Sequence, residues 1–286
     1  MKIAVVQMTS ARDPAVNLPL IEQRVRDAAG AGARLIGLPE TCMFMEKGHQ
    51  AMRARLTAEA DNRELAHLCA VAAELSVWLL VGSMVLADDA SDESSDKAVN
   101  RSLVINPQGE VVARYDKIHM FDVRLENGET HRESQNYQAG EAAVLTALDD
   151  FQLGLSICYD VRFPNLYRRL AQAGADIISV PSAFTAQTGA AHWHVLLRAR
   201  AIETGAYIIA PAQVGRHENG RETYGHSLIV DPWGEIVAEA QDDAPFVMAE
   251  IEADKIASAR QQIPSLQHGK RFSLPSAGEA PEWSSD

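Results

Sequence analysis

The sequence predicts an α/β protein of four layers, α-β-β-α, built from two related halves. Two observations carry this reading. Along most of the 286 residues, apolar runs of strand length alternate with segments of helical period. A thirteen-residue hairpin also occurs twice: Arg101-Ser-Leu-Val-Ile-Asn-Pro-Gln-Gly-Glu-Val-Val-Ala113 and His226-Ser-Leu-Ile-Val-Asp-Pro-Trp-Gly-Glu-Ile-Val-Ala238 agree at seven positions, 125 residues apart. Each copy follows a helix and a buried strand, at residues 77–81 in one half and 206–210 in the other. Two sheets, each with helices on one side, bury their remaining faces by packing together.

The elements follow in order. Residues 2–7 read as a buried strand; Asp13-Pro14 opens a helix with Ile21, Val25, Ala28 and Ala29 on one face, and Gly30 and Gly32 close it. Residues 34–38 form the next strand. A second helix begins near Ala58, with Leu65, Leu68, Cys69, Ala72 and Leu75 at helical spacing, which assigns Cys69 to the core. Residues 87–97 are a polar, acidic surface loop. Residues 151–157 form a strand that runs into Cys158, and Pro164 starts a helix carrying Leu166, Leu170 and Ala173 on one face. A further helix covers 191–204. The main domain is 1–263; residues 264–286, rich in Pro, Ser and Gly, form a tail stable only against another surface. Gly30-Ala-Gly32 ends a helix where a dinucleotide-binding turn would open one, so a Rossmann oxidoreductase is disfavoured.

Composition narrows the partners. Twenty-six basic and 39 acidic side chains leave a net charge of −13, which repels nucleic acid and anionic membranes. No run approaches the roughly 20 apolar residues of a membrane span. Cys42, Cys69 and Cys158 are odd in number and lack CxxC spacing, consistent with a reducing, cytoplasmic location. His192 and His194, two apart on a helix, face different ways and make a poor metal pair. No metal or cofactor is expected.

Three reactive side chains lie just beyond predicted strands: Glu40, Lys117 and Cys158. Singly, each has an ordinary reading as a solvated carboxylate, a surface lysine and a packed thiol. The segments around them occur in a telling order. Gly37-Leu-Pro-Glu-Thr41, Asp116-Lys-Ile-His-Met-Phe-Asp122, Gly154-Leu-Ser-Ile-Cys-Tyr-Asp-Val-Arg-Phe-Pro164 and Tyr224-Gly-His-Ser-Leu-Ile-Val-Asp-Pro-Trp-Gly234 resemble the nitrilase superfamily of carbon–nitrogen hydrolases over nearly the whole chain. Ala171-Gln-Ala-Gly-Ala175, Pro181-Ser-Ala-Phe184 and Arg198-Ala-Arg-Ala-Ile-Glu203 resemble its Nit branch, which includes deaminated-glutathione amidases and ω-amidases.

The resemblance implies a Glu40–Lys117–Cys158 triad acting on an amide through a thioester, with Glu133 supporting Lys117 in preference to Glu126 or Glu129. It implies substrate contacts from Tyr159, Arg162, Ser182 and Phe184, with the Tyr159 N–H as an oxyanion donor. The expected reaction is hydrolysis of the terminal carboxamide of a small carboxylate-bearing substrate with release of ammonia. Deaminated glutathione is the first choice; the alternatives are the ω-amides 2-oxoglutaramate and 2-oxosuccinamate, or a catalytically idle scaffold. A homodimer or higher homo-oligomer is expected through the helices after Cys158 and around 191–204. Two departures stand out: Asn165 replaces the usual Glu after Pro164, and His192-Trp193-His194 replaces His-Trp-Glu, which puts His194 in reach of substrate contacts.

Overall fold

Alternate residues of the strand Lys2–Met8 settle the layering. Ala4, Val6 and Met8 pack with Ile21, Val25 and Ala28 of helix α1 (Pro14–Gly30); the short α2 (His49–Arg53) adds Met52, and α3 (Arg63–Leu75) adds Leu65, Leu68 and Val71 to the same cluster. Ile3 and Val5 turn the other way and join Leu153, Ile177 and Ile208 of a second sheet. That cluster continues into Leu166 and Leu170 of α4 (Pro164–Gln172) and Trp193, Leu197 and Ala201 of α5 (Ala186–Thr204). The result is the α-β-β-α order that the periodicities predict. A last helix, α6 (Ala253–Gln262), packs Ile256 into this cluster. The computed structural model describes residues 1–286 except 47, 89–96, 126–127, 129, 242, 271 and 273–286; most of the acidic loop, Glu126, Glu129 and most of the tail lie outside the described residues.

Among the described residues, the first sheet has nine strands. Lys2–Met8 and Leu35–Gly37 are central and parallel, Trp78–Ala87 continues them, and the hairpin Ala98–Ile105/Val111–Asp116 forms one flank. The second sheet has six, ordered Ile236–Glu239, Leu228–Val230, Tyr207–Ala210, Ile177–Ser179, Phe151–Gly154 and Leu145–Leu148. The two repeated hairpins are the same device. Asn106 and Asp231 each accept two backbone N–H groups on the side chain, from Gln108 and Glu110 and from Trp233 and Glu235. Gly109 and Gly234 follow at φ +82° and +89°, and a Cβ there would strike α3 and α5 respectively.

The halves are related but not equal. Pro211 interrupts the chain after Tyr207–Ala210, and Ala212–Arg216 crosses to pair with Lys2–Met8 of the opposite sheet. Phe246–Glu250 returns to that sheet as well. Local boundaries also move. The predicted helix near Ala58 begins only at Arg63, because Asn62 caps it by accepting the Leu65 N–H. The strand predicted over 151–157 ends its pairing at Gly154, and Leu155 to Ile157 run on as buried extended chain.

Candidate active site

Three loops converge where the sheets' strand ends meet. The Glu40 loop is strapped to the strand Trp78–Ala87: Ser83 N donates to Pro39 O, Thr41 N to Ser83 Oγ and Cys42 N to Ser83 O. Gly82 permits this approach, since a Cβ there would lie 1.7 Å from Leu38 O. Lys117 leaves the end of Val111–Asp116 with its N–H donated to Asn100 O. Cys158 opens a single 3-10 turn, Cys158–Arg162, in the left-handed region at φ +48°, with its N–H donated to Pro181 O at 2.9 Å. Such a conformation is costly for a residue with a Cβ and persists only where surrounding bonds impose it.

Those bonds bring the three side chains together. Lys117 is 1% exposed and donates from Nζ to Glu40 Oε1 and Glu133 Oε1, each at 2.9 Å. Glu40, 4% exposed, also accepts Asn100 Nδ2 on Oε1 at 3.0 Å and Ala183 N on Oε2 at 2.8 Å, and its charge acts on the Cys158 thiol. Glu133 accepts the Phe121 N–H on its other oxygen at 2.6 Å. The surface-lysine reading of Lys117 therefore fails.

Charge is arranged in a definite way. Burial pushes the Glu40 carboxyl up most strongly, but the Lys117 ammonium, by charge and hydrogen bond, together with Arg221 and smaller contributions outweighs it and holds the carboxyl below the ordinary Glu value. Burial works against the Lys117 charge, and Glu133 and Glu40 together outweigh it, holding the ammonium well past the ordinary Lys range. Burial and then the Glu40 carboxylate drive the Cys158 thiol up, with Lys117 offsetting only part. The resting group is a neutral thiol between a carboxylate and an ammonium. Cys42, fully enclosed, is pushed up by burial to about 12 and donates to Ser83 O; Cys69 lies on α3.

A cavity of about 340 Å³ opens onto the cluster, within the range of small-molecule sites. Tyr159, Arg162 and Phe184 line it. Arg162 lies over the Tyr159 and Phe184 rings and meets His192 Nδ1 at 3.3 Å; among the described residues no carboxylate pairs with it. Two expectations are corrected. Ser182 is fully buried and donates its hydroxyl to Val180 O on an extended segment that bridges to Ala212; the neighbouring Ala183 N–H reaches Glu40 instead. His194 is not among the cavity's lining residues and turns to Glu239, Tyr224 and His226.

Sequence reading missed Asn100 and Arg221. Asn100 was detectable as a buried amide at the start of the strand Ala98–Ile105, flanked by Ala98 and Val99. Arg221 lines the cavity, donates Nη2 to Ala183 O and lowers Glu40 further. It sits in an Asn219-Gly220-Arg221 turn, where an exposed arginine is the ordinary expectation.

The sandwich and this site define a hydrolase of carbon–nitrogen bonds: the carbon-nitrogen hydrolase family pattern matches residues 2–261, and the chain belongs to that family. It falls in the Nit branch of the nitrilase superfamily. It is 44% identical over 269 residues to the deaminated glutathione amidase of Synechocystis sp., covering 93% of this chain and 96% of that protein. The human deaminated glutathione amidase is 39% identical over 93% of this chain and 81% of its own length. The Caenorhabditis elegans NitFhit structure superposes with a TM-score of 0.86 at 35% identity; the match covers 94% of this chain and 65% of that longer one. Saccharomyces cerevisiae Nit3 gives 0.81 at 29% identity over 92% and 94%. A Glu-to-Gln mutant of an amidase from Nesterenkonia sp. AN1, TM-score 0.75 at 26% identity over 92% and 98%, shows the result of Michael addition of acrylamide at its active-site cysteine. Among the described residues no helix is long and apolar enough to cross a membrane.

Proposed function

We propose that this amidase uses Glu40, Lys117 and Cys158 as its catalytic triad and acts on deaminated glutathione. The observation that supports this most is the Lys117 ammonium, held between Glu40 and Glu133 beside a thiol that burial and the Glu40 carboxylate keep neutral. Glu40 takes the thiol proton as Cys158 Sγ bonds to the amide carbon. The oxygen that gains charge is stabilised by Lys117 and the Tyr159 N–H. On collapse the C–N bond breaks and the nitrogen leaves with the proton from Glu40. A thioester remains; water gives a proton to Glu40, attacks the carbon, and the sulfur leaves to recover that proton. Glu133 and Asn100 keep Lys117 and Glu40 in register.

The substrate assignment draws on the names of the 39–44% identical relatives and on Arg162 and Arg221, two cations at the cavity available to carboxylates. Deaminated glutathione has only internal amides, so its leaving group is an amine; ammonia is released only from the terminal carboxamide of an ω-amide. Three unpaired cysteines suit a reducing cytoplasm. The domain reading keeps 1–263 as the hydrolase and 264–286 as a tail. Homodimerisation would use α5, where Val195 and Ile202 are 68% and 51% exposed. Of the leucines expected at the interface, Leu166 and Leu170 of α4 and Leu197 of α5 are buried in this chain's own core, and Leu196 is partly buried against it.

The test is a panel of deaminated glutathione, 2-oxoglutaramate and 2-oxosuccinamate, with amine and ammonia both measured. Amine release from the first is expected to exceed ammonia release from the others, and Cys158→Ala to abolish all turnover. Comparable turnover by Cys158→Ala would refute the covalent route; preference for an ω-amide would replace the substrate; no turnover on any amide would favour a scaffold.

A further inference from the structure

His194, His226 and Glu239 come from three elements that sequence distance separates: α5, the residue pair before Leu228–Val230, and the end of Ile236–Glu239. His194 Nε2 and His226 Nδ1 both face Glu239 Oε1, at 2.9 and 2.7 Å, and the three ligand atoms lie within 4.8 Å of one another. The side chains are 30%, 26% and 27% exposed, so an ion can reach them from solvent. We propose that these residues bind one divalent transition-metal ion of the Zn²⁺ type, away from the hydrolytic centre.

Donor chemistry selects the ion class. Two imidazoles and one carboxylate suit Zn²⁺, Ni²⁺ or Cu²⁺ and disfavour Ca²⁺ and Mg²⁺, which take oxygen ligands. Metal–ligand bonds of about 2.0–2.1 Å put tetrahedral donors about 3.3 Å apart, so each imidazole need retreat from Glu239 by only about half an ångström. Three protein donors leave a fourth position to water. The scaffold is rigid: His226 is held at φ +55° with its carbonyl accepting Trp193 Nε1 at 2.9 Å, and its ring stacks on Tyr224 at 4.4 Å. A metal ion takes imidazole through an unprotonated nitrogen, so coordination by His194 Nε2 and His226 Nδ1 would replace their hydrogen bonds to Glu239. The expectation of no metal considered only His192 with His194; the fold pairs His194 with residues 32 and 45 positions away.

The site is linked to the cavity wall through Trp193, whose Nε1 donates to the His226 carbonyl. The Trp193 ring packs on Phe184 at 4.9 Å, and Phe184 lines the hydrolytic cavity. Binding and thermal stability are the direct readouts.

The experiment titrates tag-free, chelator-treated protein with Zn²⁺ by calorimetry and follows melting temperature. A Cys158→Ala background removes the cavity thiol as a competing ligand. One equivalent is expected to bind and to raise the melting temperature through preferential binding to the folded state. His194→Ala and Glu239→Gln, each of which leaves the backbone unaltered, are expected to weaken binding at least about tenfold, the lower end for disturbing even outer-shell partners. A cobalt spectrum of tetrahedral type in the parent, lost in both variants, is the independent signature. No binding at an about tenfold molar excess of Zn²⁺, or parental affinity in either variant, would overturn the proposal.

Discussion

Tyr115 donates its hydroxyl to Asp160 Oδ2 at 2.7 Å, joining the residue two before Lys117 to the residue two after Cys158. The same carboxylate oxygen accepts the Ile157 N–H at 2.8 Å, and Oδ1 accepts the His119 N–H and meets His119 Nδ1 at 2.7 Å. Asp160 is fully buried. It therefore clamps both neighbours of Lys117 to the turn that carries the thiol, and the distance between ammonium and sulfur depends on a residue that meets no substrate.

Asp160→Asn puts an amide NH₂ where Asp160 accepts donors on both oxygens, so at least one donor is left facing another. We expect kcat to fall at least about tenfold, equivalent to about 1.4 kcal/mol, with KM little changed. Tyr115→Phe, which leaves Ile157 N–H on the same oxygen, should cost about 1–2 kcal/mol of stability. Steady-state kinetics and melting curves check both; an unaltered kcat in Asp160→Asn would show that the clamp does not govern the site.

Lys117→Met removes the cation beside the developing oxyanion and should cost about two to three orders of magnitude in kcat, the range for removing one oxyanion donor. Lys117→Arg should fail as well, because a planar guanidinium cannot sit between Glu40 and Glu133 as a compact ammonium does. Substantial turnover in either variant would demote Lys117.

The pH profile follows from the directions of the shifts. Glu40 must be ionised to act as base, and its pKa lies below the ordinary 4.5, so the acid limb of kcat/KM should lie below 4.5. Lys117 is raised above 10.5, so its ammonium is not lost below that pH. Activity should stay flat across neutrality. An acid limb between 6 and 7 would instead implicate a histidine.

Arg162 pairs with no carboxylate among the described residues and reaches the cavity. Arg162→Ala should raise KM for an acidic ω-amide more than for a neutral amide of similar length, at little cost to stability. Equal effects on both would reduce Arg162 to a packing role over Tyr159 and Phe184.

Light scattering at micromolar concentration should report about twice the 31.2 kDa chain mass. Val195→Glu with Ile202→Glu should restore the single-chain mass, because both side chains stand exposed on α5. An unchanged monomer in the parent would remove the interface.

By itself the sequence determined the layers, the doubled hairpin and the three reactive residues. These depend on local periodicity, on turn chemistry such as Asn106 and Asp231 closing identical loops, and on motifs short enough to read in one stretch. Tertiary structure alone decided which groups surround the reactive ones. Asn100 and Arg221 act on Glu40 from distant segments, Ala183 contributes a backbone N–H that residue type does not reveal, and Ser182 turns inward to Val180 O on a buried segment bridged to Ala212. His194 was judged by its helical neighbour His192, whereas its partners arrive from the far hairpin. Local backbone preferences act over a few residues; contacts between segments tens to more than a hundred residues apart arise only when burial of apolar faces brings those segments together.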